Sequence, residues 1–174
     1  MHEKEISKAA ELSIKYFRNG LYCSESILRA FNEIYMLGLP EDAYKISTGF
    51  GSGLSGSGCV CGTVTGATMV FGLAAGRNKS YESENIVYSA VKKLHDRFRD
   101  EHKALCCRVL TKNVKWGSAR HNKQCESFIL DVAMWTEEIL RTDLREHLPA
   151  DGIKSVPVKN IFTYILSKLL RRDY

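Results

Sequence analysis

Cysteine placement is the feature of this sequence that points most directly to chemistry. Its six cysteines fall in four separate segments: Cys23, Cys59 with Cys61, Cys106 with Cys107, and Cys125. Each segment lies at or near the start of a helical pattern or in a glycine-rich loop. Four is the ligand number of a thiolate-held iron–sulfur cluster or a zinc ion. One buried cysteine is usually a small hydrophobe, but six grouped in this way point to a shared site. Cys23 is expected to open a helix, where the dipole acidifies a thiol. Cys59-Val60-Cys61 leaves the run Gly49 to Gly58, whose backbone N–H groups can donate to sulfur. Neighbouring side chains on a helix diverge by about 100°. Only one of Cys106 and Cys107 therefore faces a common site, and Cys107 is favoured.

Other patterns carry less. Gly51-x-Gly53-x-x-Gly56 has the spacing of a dinucleotide fingerprint, but that motif needs an apolar strand before it, and Ala43 to Phe50 is not one. Covalent haem is excluded because C-x-x-C-H is absent, as are C-x-x-C and H-E-x-x-H. His95 and His102 read as solvated or capping residues, His121 as a spare ligand beside Cys125, and Trp116 and Trp135 as packing.

The elements that must position the cysteines are helical, with no sustained strand alternation. Ile6, Ala10, Ile14 and Phe17 mark a first helix, and Cys23, Ile27, Phe31 and Ile34 a second. From Cys61 to Ala75 the chain is small or apolar on every side, as in a central helix, with Gly66 allowing a neighbour close. A surface helix runs over 82–102, and Cys106-Cys107 lies just beyond it. Cys125 is expected in the first turn of a long helix with Phe128, Ile129, Val132, Thr136 and Ile139 on its inner face. The fold class is all-α, a compact single-domain bundle with a buried glycine-rich central helix. The redox domain spans residues 1–147. Residues 148–174 hold an amphipathic helix, Val158 through Leu169, packed on the domain or pairing in a homodimer.

The 174 residues suit one domain, and the composition, 44% hydrophobic and 26% charged, is that of a globular chain. The net charge is +5. Lys92 to Lys103 alternates with Asp96, Asp100 and Glu101, which reads as a solvated helix face and not a nucleic-acid stripe. The most apolar stretch, 64–75, falls short of the ~20 residues that cross a bilayer. The first 15 residues lack a signal peptide's apolar core. A cytoplasmic, reducing setting is therefore expected, where thiols act as ligands or catalysts.

Together these residues resemble the C_GCAxxG_C_C family of redox-active proteins, related to the core of split-Soret cytochrome c. The resemblance is carried by Tyr22-Cys23-Ser24-Glu25-Ser26-Ile27-Leu28, Cys61-Gly62-Thr63-Val64-Thr65-Gly66-Ala67, Cys107-Arg108-Val109-Leu110, and Cys125. It implies a helical bundle with Cys23, Cys61, Cys107 and Cys125 as the cofactor- and metal-binding set. Thr63 stands where the pattern has alanine, and Cys59 and Cys106 are additions to it.

Three functions follow. The first is electron transfer through a Cys-ligated iron–sulfur cluster, [2Fe–2S] in type, serving a redox partner protein. The second is a cofactor-free thiol/disulfide oxidoreductase, in which catalytic Cys61 attacks a small-molecule or protein disulfide and Cys59 resolves it. The third is a zinc-binding structural or interaction module.

Overall fold

In a computed structural model, residues 6–154 are described, and the C-terminal stripe Val158 to Leu169 lies outside them. Eight helices follow one another: α1 (Lys8–Arg18), α2 (Cys23–Tyr35), α3 (Gly51–Leu54), α4 (Gly62–Ala75), α5 (Asn85–His102), α6 (Cys107–Leu110), α7 (Ala119–Thr142) and α8 (Ala150–Lys154). A 3-10 helix, η1 (Glu41–Phe50), joins α2 to α3. No strand occurs among the described residues, only an isolated bridge between Val60 and Cys106. The fold is all-α.

Helix α4 sits at the centre, against α2, α5 and α7. Its composition explains this. Gly62, Thr63, Val64, Gly66, Ala67, Val70 and Phe71 are all buried, while Thr65, Thr68, Met69 and the last turn are partly open to solvent. A Cβ on Gly66 would stand 2.8 Å from the Ser24 carbonyl oxygen, so glycine is what lets α4 lie against the α2 backbone. Helix α1 packs on α2 and α7. Trp135, Phe98 and Leu94 fill the space between α5 and α7. Tyr35 of α2 donates to buried Glu137 of α7 over 2.9 Å, and Arg141 Nε contacts both groups.

Helix α7 starts earlier than its apolar periodicity suggests. Ser118 caps it, accepting from the His121 N–H at 3.2 Å. Cys125 therefore lies in the second turn and not the first. The two opening turns, with Arg120, Asn122, Lys123 and Gln124, are too polar to show the stripe.

Within the expected glycine-rich loop, segment 51–55 has a defined structure. Ser52, Gly53, Leu54 and Ser55 have φ of 53°, 67°, 59° and 54°, one turn of left-handed helix closed by Ser55 N–H to Gly51 O at 2.9 Å. Left-handed backbone costs roughly 1–2 kcal/mol per non-glycine residue, so the surrounding contacts must hold it in place.

Candidate functional site

The left-handed turn and the start of α4 build the same place. Turn residue Ser52 presents its N–H to the Cys23 sulfur at the start of α2. Gly53 abuts Cys107, where an added Cβ would lie 2.6 Å from that of the cysteine. A Cβ on Gly62 would overlap the Cys23 sulfur. Both glycines thus leave room for a thiol that any larger residue would displace.

Cys61 is the N-cap of α4, and its sulfur receives the N–H groups of Thr63 and Val64. The Thr63 hydroxyl lies 3.2 Å from the same sulfur. The sequence showed Thr63 only as a departure from alanine. It supplies a polar hydrogen at the site that alanine would not.

A clasp between two extended segments positions Cys107. Cys107 N–H donates to Cys59 O at 2.6 Å and Cys61 N–H to Leu105 O at 2.8 Å, flanking the Val60–Cys106 bridge. Extended backbone alternates its side chains, so Cys106 and Cys107 leave on opposite faces. Cys107 is buried; Cys106 is only half-buried. The fourth thiol, Cys125, stands one turn beyond His121, whose Nε2 is 3.7 Å from its sulfur. Gln124 fastens this part of α7 to α6 through the Leu110 carbonyl at 2.9 Å.

Cys23, Cys61, Cys107 and Cys125 line one cavity of ≈ 190 Å³, together with Thr63 and His121. Cys59 and Cys106 are not among its lining residues. Of the two residues expected to act catalytically, Cys61 faces this cavity and Cys59 does not. His121 is 5% exposed, and its Nδ1 has no hydrogen-bond partner among the described residues. Trp116 is 56% exposed, with its ring packed 4.3 Å from that of His121 at the cavity edge. His95 pairs with Asp96 on the surface, and His102 packs on Phe98, both away from the thiols.

Electrostatics reverse one expectation. Cys23 does open a helix, but burial raises its thiol pKa well above the ordinary range, with the other cysteines adding to the effect. Burial likewise raises Cys61, against the Thr63 and Val64 donors. It pushes Cys107 up to about 11 and Cys125 up to about 12. Desolvation outweighs the helix dipole here because each sulfur is taken out of water. Burial thus favours the protonated thiol.

The residue set fits a thiolate-bound iron–sulfur group in donor type and number. Four cysteines face one space, side-chain-free glycines make room for two of them, and N–H groups point at two sulfurs. Among the described residues no group of three or more His, Cys, Asp or Glu side chains is drawn together closely enough to hold a metal ion. No described helix is long and apolar enough to cross a membrane.

A family model described as "Putative redox-active protein (C_GCAxxG_C_C)" covers residues 21–139, a span that includes all four cavity cysteines. No curated protein and no solved structure matches the chain.

Proposed function

The chain belongs to the C_GCAxxG_C_C family of redox-active proteins, and from that premise we propose that it is an electron-transfer protein whose Cys23, Cys61, Cys107 and Cys125 hold an iron–sulfur cluster of the [2Fe–2S] type. The observation that carries this reading is the convergence of four thiols, from four chain segments, on one cavity. Bound there, such a cluster supplies one-electron redox chemistry. The chain's own residues do the rest. Thiols that burial keeps protonated when alone ionise readily only against a positive charge, which makes a metal their natural counterpart. The Ser52 N–H at Cys23, with the Thr63 N–H and hydroxyl and the Val64 N–H at Cys61, stabilises negative charge on sulfur and raises the reduction potential. Phe17, Leu110 and Phe128 in the wall limit the access of water.

The dithiol reading has less support. Attack on a disulfide needs a thiolate, and burial works against ionisation of Cys61. Its proposed resolving partner, Cys59, stands outside the cavity. The test is the visible spectrum of protein purified without air, with iron, sulfide and zinc counted in the same sample. Iron with matching sulfide is expected. Metal-free protein with reactive thiols, or stoichiometric zinc, overturns the proposal.

A further inference from the structure

Charge on this molecule is distributed unevenly. Between Glu101 and Glu126 the sequence carries Lys103, Arg108, Lys112, Lys115, Arg120 and Lys123, and no Asp or Glu. Elsewhere basic residues mostly have acidic partners: Arg18 with Glu126, Arg29 with Glu41, Lys93 with Asp143 and Arg97 with Glu138. Arg108, Lys112, Lys115, Arg120 and Lys123 are exposed and make no ion pair among the described residues.

This same segment forms a wall of the thiol cavity. Leu110, Thr111, Trp116, Gly117, His121 and Asn122 line it from inside, while the lysines and arginines between them face solvent. At the rim, Trp116 and Tyr22 are half-exposed, and both also border an adjoining groove of ≈ 640 Å³. The outer face of the cavity wall therefore carries an excess of positive charge, offset at Lys123 by the Glu126 carboxylate, with Trp116 and Val109 exposed along the same segment.

We propose that this patch is the docking surface for an acidic electron-carrier protein, an inference that rests on the redox reading of the adjacent cavity. Unpaired surface charge raises the rate of encounter with an oppositely charged partner, and an exposed aromatic supplies a contact that holds it. Its position on the cavity wall brings whatever docks there next to the four thiols. A nucleic-acid surface would interleave several aromatics with its basic residues; here the basic segment 101–126 contains one, Trp116, and the surface backs onto the cysteine cavity.

The test uses the full chain and an acidic plant-type ferredoxin as probe, with association followed by stopped-flow tryptophan fluorescence at low and high ionic strength. The triple variant Lys112→Glu/Lys115→Glu/Lys123→Glu should lose association rate on the order of 10- to 1000-fold at low salt. Lys8→Glu/Lys15→Glu/Arg145→Glu makes the same charge change on exposed residues outside the patch and should stay within about twofold of the parent. Circular dichroism checks that both variants fold. Absence of association, insensitivity to salt, equal loss in both triples, or tighter binding of a DNA duplex than of ferredoxin overturns the proposal. Association is read without any electron moving, so absence of iron in the purified protein would sink the cluster reading while leaving this result intact.

Discussion

Gly53→Ala tests the packing at the thiol site most directly, because a single methyl is placed in two unfavourable circumstances at once. The backbone there has φ of 67°, which costs an L side chain roughly 1–2 kcal/mol. The methyl would also stand 2.6 Å from the Cys107 Cβ and 2.9 Å from the Cys59 N, far inside van der Waals contact. One of those neighbours is backbone held by the clasp and cannot swing aside. Overpacking of this kind costs about 1–3 kcal/mol, and reduced freedom of the unfolded chain returns about 0.4–1 kcal/mol. The net expectation is a loss of about 2–4 kcal/mol. Gly56→Ala separates the two causes, since its φ is 82° but nothing lies within 4 Å of the added carbon. It should show only the backbone cost, leaving a difference of about 1–3 kcal/mol for the contact with Cys107 and Cys59. Urea unfolding of both variants gives the stabilities, and native-state alkylation followed by peptide mapping shows whether Cys107 has moved. Equal destabilisation by the two substitutions, or an unchanged Cys107 in Gly53→Ala, would refute the argument.

Cys107→Ser should abolish iron retention, whereas Cys106→Ser on the opposite face should leave it intact; metal analysis of the two purified variants distinguishes them. Thr63→Ala removes the hydroxyl 3.2 Å from the Cys61 sulfur. With about 1 kcal/mol of stabilisation of the more negative state lost, the reduction potential should fall by some ~40 mV in a one-electron redox titration. The metal-free chain should lose stability as pH rises from about 9 toward 12. Folding holds Cys107 and Cys125 protonated up to about 11 and 12, whereas the unfolded chain releases those protons near 9, so urea midpoints should fall over that window and stay flat below it. Met36, which ends α2 with φ of 52° and is exposed, should yield a more stable protein as Met36→Gly, by about 0.5–1 kcal/mol in thermal unfolding.

Sequence periodicity located α1, α2, α4 and α5 because each has a continuous apolar face or, in α4, no polar face at all. It failed where a helix opens on polar residues. Ser118 starts α7 by capping, and two turns pass before the stripe through Phe128 becomes visible. The left-handed turn was illegible for another reason: serine and leucine seldom adopt positive φ, and what holds Ser52, Leu54 and Ser55 there is tertiary contact. That Cys23, Cys61, Cys107 and Cys125 line one cavity was suggested by the family resemblance and not by the spacing of the residues alone. The separation of Cys59 from them was not readable, since it depends on the clasp to residues 105–107. Thiol acidity was misjudged at Cys23 because sequence shows the helix start but not the depth of burial.

The cavity has no local part: its four sulfurs come from α2, the N-cap of α4, α6 and the second turn of α7. During synthesis Cys125 is the last of them to leave the ribosome, after the first six helices and the opening turn of α7. A nascent chain therefore presents an incomplete set of cavity thiols through most of its translation, and a group that needs all four could be bound only once α7 has begun to form. A chain stopped anywhere before α7 carries at most three of the four cavity sulfurs. The completeness of the cavity is in this sense tied to the order in which the chain is made.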